Sequence, residues 1–247
     1  MISKFEVVSN GIKIRGELHF PEIKVELYKT VIVLTGDTRK GFNGFSVQRL
    51  LPEFLSAGNA VCLFDFMGLG TSDGERRNLK LTDGINNFRD VFSFLLAHQS
   101  IDKDNIIIFA TSFGATVVLS SPEIVNKAKR CILRSPCVFL AEAYINEIGN
   151  ERFLEWRKTN YCDENDYYYS VLLDSLRYNV YAECTKIITE CFIVYGGKDE
   201  IVPSMQTLLL YDLLAVNKEI REVVDANHGY SGEGCFDQLL AIIREWL

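Results

Sequence analysis

The chain is short of several features that would assign it to a membrane, a nucleic acid or a disulfide frame. No apolar run approaches the ~20 residues that a membrane-spanning helix needs. No basic start followed by an apolar core marks an N-terminal signal, and no Asn-x-Ser/Thr sequon occurs. Positive charge is not in excess: 26 Lys and Arg against 33 Asp and Glu leave a net −7 and a pI near 5.1. A nucleic-acid partner is therefore not expected. Cysteines stand at 62, 131, 137, 162, 184, 191 and 235, an odd number with no CxxC pair. Cys62, Cys131 and Cys191 lie inside apolar, strand-like runs, so buried reduced thiols are expected. Internal repeats, low-complexity tracts and flexible linkers are also missing. These absences predict a soluble, cytoplasmic protein. Histidine is scarce too, with three in 247 residues, which narrows any search for a general base.

What is present is an alternation of strands and helices. Residues 4–9 and 12–20 alternate apolar and polar around Asn10-Gly11, a strong hairpin signal, and Pro21 ends the second strand. Buried strands are expected at 30–34, 60–66, 106–109, 130–134, 191–195 and 220–224. Helices are expected at 46–57, 81–96, from 113 onward, 204–215 and 235–246. Nearly half the residues are apolar, enough for a substantial core. The pattern predicts a parallel sheet covered on both faces, with an antiparallel hairpin at one edge. Residues 135–189 break it. They contain no clear buried strand, an acidic excess and seven of the eleven tyrosines, so they read as a helical insertion between core segments 1–134 and 190–247.

The central run Asn105-Ile-Ile-Ile-Phe-Ala-Thr-Ser-Phe-Gly-Ala115 carries the chemical signal. A buried strand stops at Ala110, and Ser112 follows on a turn into a helix. A serine on so sharp a turn needs small residues two positions away on each side, and Ala110 and Gly114 supply them. The alternative is an ordinary helix N-cap serine. Nucleophilic catalysis would also require a base and a group that orients it. His19 lies in the edge hairpin and His98 closes a helix. His228 follows a strand on a loop at the carboxyl edge of the sheet, where ligands and catalytic groups collect in open α/β sheets. The orienting acid is sought after another strand, and Asp199 in Gly196-Gly-Lys-Asp-Glu-Ile-Val-Pro203 is preferred to Glu200. A solvated loop histidine and a plain turn aspartate are the competing readings. Asp65 precedes a Gly-rich turn and is read as holding that turn.

With Ser112, Asp199 and His228 in that order, each after a strand, the chain resembles the α/β-hydrolase superfamily. Asp65-Phe-Met-Gly-Leu-Gly-Thr-Ser-Asp-Gly74 matches the family's Asp-x-Arg-Gly-x-Gly-x-Ser-x-Gly turn, with Met67 in the arginine's position. Gly196 through Pro203 matches its Gly-x-x-Asp-x-x-Val-Pro motif. The resemblance implies an α/β-hydrolase fold, with a mostly parallel eight-stranded sheet, helices on both faces and 135–189 as a small helical cap. The cap's length and position are similar to those of cinnamoyl (feruloyl) esterases and monoacylglycerol-lipase-like enzymes. It further implies a Ser112–His228–Asp199 triad and an oxyanion hole built from the backbone N–H groups of Asp37 and Phe113. The family's His-Gly reads Thr35-Gly36-Asp37 here, so the Asp37 carboxylate is expected to point away or bind a donor. Among the cap aromatics Trp156, Tyr161 and Tyr168 are expected to line the substrate pocket.

The implied activity is cleavage of a small carboxylic ester through an acyl-enzyme, with neither metal nor cofactor. An acyl-thioester hydrolase or acyltransferase with the same machinery, and a catalytically silent binding protein of the same fold, are the alternatives. The expected partner is a small-molecule ester or acyl thioester, with no nucleic acid and no integral membrane segment. The oligomeric state stays open, a homodimer included.

Overall fold

The computed structural model describes all 247 residues. The chain opens with the hairpin β1 (Ile2–Ser9) and β2 (Ile12–His19), followed by β3 (Tyr28–Leu34), α1 (Phe45–Ser56), β4 (Ala60–Phe64), α2 (Leu81–Ala97) and β5 (Ile101–Thr111). Then come α3 (Phe113–Leu119), α4 (Pro122–Val125) and β6 (Arg130–Arg134). The stretch that interrupts the alternation holds α5 (Leu140–Ile148), α6 (Asn150–Thr159), the small hairpin β7 (Tyr161–Cys162) and β8 (Tyr167–Tyr168), α7 (Tyr169–Ser175) and α8 (Val180–Cys184). The chain closes with β9 (Glu190–Gly196), α9 (Ser204–Leu213), β10 (Lys218–Val223) and α10 (Cys235–Trp246).

Eight strands form one sheet in the order β1-β2-β4-β3-β5-β6-β9-β10. β1 and β2 pair antiparallel, as do β2 and β4, and every other pairing is parallel. Burial on both faces explains the uninterrupted apolar runs of the central strands. Ile32, Cys62, Ile108 and Leu133 face a layer built with α2 and α3, whereas Val33, Val61, Phe109 and Ile132 face α1 and α10. Each fully buried aliphatic or aromatic side chain contributes about 1.5–3 kcal/mol relative to leaving it in water. The β7–β8 hairpin is not visible as a strand pattern in the sequence, because two-residue strands carry no periodicity. No helix is long and apolar enough to cross a membrane, and all seven cysteines are buried free thiols.

The parallel strands all point their carboxyl ends toward one edge of the sheet. β3, β5, β9 and β10 release their loops there, and so bring Asp37, Ser112, Asp199 and His228 to the same edge. Leu140, Ala143, Tyr144 and Glu147 of α5 come to that same edge, beside Ser112 and His228. Asp174 accepts from the amide (2.9 Å) and hydroxyl (2.8 Å) of Thr82 at the start of α2. Gln206 of α9 accepts from the amides of Val138 (2.9 Å) and Phe139 (2.8 Å).

Candidate active site

Ser112 sits between β5 and α3 with φ +50° and ψ −115°, a conformation L-residues seldom adopt. Such a backbone costs on the order of 1–3 kcal/mol and survives only where its surroundings enforce it. They do so here in two ways. The Ser112 amide donates to the carbonyl of Arg134 at 3.2 Å. Gly114 lies so close to β3 that a Cβ there would fall 2.5 Å from the Leu34 carbonyl oxygen and 2.6 Å from that of Thr35. The small residue two positions after the serine is thus required by the packing of a helix start against a strand end.

His228 Nε2 is 3.0 Å from Ser112 Oγ, and its Nδ1 is 2.7 Å from Asp199 Oδ2. The other Asp199 oxygen accepts from the amides of Ile201 (3.0 Å) and Val202 (2.9 Å), so the carboxylate is fixed on both sides. The two remaining histidines are engaged elsewhere. His19 meets Glu17 on β2 at 2.9 Å, and His98 accepts from the Ser100 amide beside Phe20 and Phe94.

Ser112, His228, Asp37 and Phe113 share a cavity of about 280 Å³. Phe113 is the first residue of α3, where an amide has no intrahelical acceptor. The Asp37 amide donates to no backbone carbonyl. The Asp37 carboxylate is held by Arg76, whose Nε reaches Oδ1 at 2.8 Å and whose Nη2 reaches Oδ2 at 2.5 Å. This bidentate pair is mostly buried, and the same guanidinium lies 4.4 Å from the Tyr167 ring centroid and donates from Nη1 to the Asn165 carbonyl. Arg76 therefore joins the loop after β3 to the β7–β8 hairpin. Asp65 does hold its turn. Its oxygens accept from the amides of Phe42 and Thr71 and from the Thr71 hydroxyl, and burial raises its pKa despite these donors.

The aromatic residues expected at the pocket lie elsewhere. Trp156 is buried inside the helical stretch, with Nε1 donating to the Tyr167 carbonyl at 2.8 Å and its ring edge-on to Tyr144 and Tyr169. Tyr161 and Tyr168 pack on each other across the β7–β8 hairpin, the Tyr161 hydroxyl donating to Asp166 at 2.6 Å. These rings pack within the stretch from α5 to α7 and do not line the cavity. Tyr144 and Glu147 of α5 do line it, together with Leu140, Ala143 and the α1 residues Val47 and Leu50. Burial pushes the Tyr144 hydroxyl and the Glu147 carboxyl upward in pKa. Arg134, at the end of β6, is a further lining residue that strand patterning alone could not single out.

No protein-family profile matches the sequence. An uncharacterised 31.7 kDa protein of Escherichia coli, from the traX-finO intergenic region, is 25% identical over 242 residues, covering 80% of this chain and 84% of that protein. Polyketide transferase af380 of Aspergillus fumigatus is 31% identical over 124 residues, 47% of this chain and 39% of the fungal protein. Among solved structures, Est1E from Butyrivibrio proteoclasticus with ferulic acid bound superimposes with a TM-score of 0.85 at 18% identity, over 98% of this chain and 97% of that one. The alpha/beta hydrolase GrgF from Penicillium sp. sh18 gives 0.79 at 17% identity, over 100% and 96%. With the antiparallel hairpin leading a parallel sheet, the serine raised on its strand-to-helix turn and this end-to-end overlap, the chain has the α/β-hydrolase fold.

Proposed function

We propose that the protein is a serine hydrolase that cleaves a small carboxylic ester through an acyl-enzyme on Ser112. The observation that carries this reading is the continuous contact from Asp199 through His228 to Ser112 Oγ, beside a cavity that Asp37 and Phe113 also line. In the proposed cycle His228 Nε2 takes the Ser112 proton as Oγ attacks the ester carbonyl. Asp199 holds Nδ1–H and with it the imidazole orientation. The two amides stabilise the negative charge that develops on the carbonyl oxygen. His228 then protonates the departing alkoxide, and a water activated by the same nitrogen releases the acid. Residues 135–189 serve as the cap, with Tyr144, Glu147 and Leu140 as its contribution to the substrate pocket. The chemistry needs neither metal nor cofactor.

A second reading is acyl transfer from a thioester by the same residues, favoured by the partial similarity to polyketide transferase af380. A fluorophosphonate probe should label the wild type and leave Ser112→Ala unlabelled. Absence of labelling at Ser112 would sink both enzymatic readings and favour a silent binding protein. Alkyl esters and acyl thioesters of matched acyl groups then separate hydrolysis of esters from thioester chemistry.

A further inference from the structure

Arg134 is a buried cation in the wall of the cavity, only 3% exposed. The one hydrogen bond of its side chain runs from Nη2 to the His228 carbonyl at 3.2 Å. Its Nε is buried with no partner. Its guanidinium carbon lies 4.7 Å from the Tyr230 ring centroid and 5.9 Å from that of Phe236. Burial lowers its pKa, yet an arginine side chain stays charged in proteins. No carboxylate pairs with it. Asp199 acts on the guanidinium through its charge without an ion-pair contact, since it gives one oxygen to His228 and the other to two amides.

Burying an arginine with no carboxylate in contact costs several kcal/mol, which the Tyr230 ring and the more distant Asp199 charge offset in part. A neutral amide side chain could donate to the His228 carbonyl without that cost. The cation must therefore be explained by something other than loop anchoring. Its position is suggestive: Thr111 pairs with Arg134 in the β5–β6 register, and the Arg134 carbonyl receives the Ser112 amide. Val33, Val47, Leu50 and Phe109 line the same cavity and belong to the apolar layer that also contains Tyr230 and Phe236. A short aliphatic chain can lie along these residues, with a planar anion meeting the guanidinium fork.

Building on the proposed esterase activity, we infer that Arg134 anchors a terminal carboxylate of the acyl group, so that half-esters of short dicarboxylic acids are the preferred substrate class. The test compares monomethyl glutarate and monomethyl adipate with methyl valerate and methyl hexanoate, followed by proton release. The half-esters should have a kcat/KM about 10- to 100-fold above the neutral esters, the range of a charge-assisted hydrogen bond. Arg134→Met should erase that ratio, whatever it does to the common rate through the His228 loop, and Arg134→Lys should keep part of it. A wild-type ratio at or below one, or a ratio unchanged in Arg134→Met, overturns the inference while leaving the esterase reading intact. If no ester turns over and Ser112 takes no fluorophosphonate, the esterase reading fails, and binding decides the role of Arg134. In Ser112→Ala, monomethyl glutarate should bind more tightly than methyl valerate by calorimetry, and the advantage should vanish in Ser112→Ala/Arg134→Met. Equal binding of the two ligands overturns the inference.

Discussion

Removing Arg76 tests how the site tolerates an acid beside its proposed oxyanion hole. The Asp37 carboxylate belongs to the residue whose amide is a proposed donor, so covalent geometry keeps the two within about 5 Å. An oxyanion docked on that amide would stand roughly 7 Å from the carboxylate. At an effective dielectric constant near 20, the repulsion between the two charges is about 2–3 kcal/mol. Arg76 cancels most of it through its bidentate contact at 2.8 and 2.5 Å. The repulsion grows only as the carbonyl oxygen gains charge, so it falls on the transition state and lowers kcat. Arg76→Met should reduce kcat for a p-nitrophenyl ester by about 10- to 100-fold, since each 1.36 kcal/mol is tenfold. Asp37→Asn should leave kcat unchanged or raise it, and Asp37→Asn/Arg76→Met should return close to the wild-type value. Thermal melts accompany the rates, because leaving a largely buried carboxylate unpaired costs about 3–5 kcal/mol of stability. A collapse in Asp37→Asn would give the carboxylate a positive role and refute the reasoning. A double variant as slow as Arg76→Met would instead make the Arg76 contacts to Asn165 and Tyr167 the important ones.

Two further outcomes follow from close packing. Gly114→Ala would bring a methyl group within 2.5 Å of a β3 carbonyl oxygen that cannot move without its strand; denaturant midpoints should fall by the equivalent of about 1–3 kcal/mol, as for other overpacked sites, and fluorophosphonate labelling of Ser112 should weaken. Unchanged stability and labelling would disprove the close approach. Burial raises the Cys137 thiol to about 12, and the other six cysteines are also buried. A thiol reagent at pH 8 should therefore modify none of the seven quickly in the folded protein and all seven after unfolding; rapid native labelling of Cys137, which lines the cavity, would show that the cavity opens further than this structure allows.

Features that leave a trace in sequence do so through local constraint. Ser112 could be picked out because its positive φ restricts the neighbours at 110 and 114, and the strands could because burial on both faces makes them continuously apolar. Asp199 and His228 were readable for a related reason, each following an apolar run that ends at one edge of a parallel sheet. Trp156, Tyr161 and Tyr168 mark the limit. They lie in short helices and two-residue strands, where composition says that rings are present but no period says which way they face. The structure buries Trp156 among other rings, pairs the partly exposed Tyr161 and Tyr168 across the small hairpin, and leaves Tyr144 at the cavity wall. The arginines were hidden more deeply. Asp37 predicted a donor, but its partner stands 39 residues away on a loop that only the folded sheet brings near. Arg134 reads in sequence as the polar end of a strand, and its meaning comes from Tyr230 and Phe236 closing around it from beyond β10. Charge at this site is thus divided: Arg76 is neutralised by an acid of the chain itself, whereas Arg134 is not. Arg134 lines the cavity whereas Arg76 reaches it only through Asp37, so on the proposed reading the unpaired cation discriminates substrate charge and the paired one keeps catalytic charge in balance.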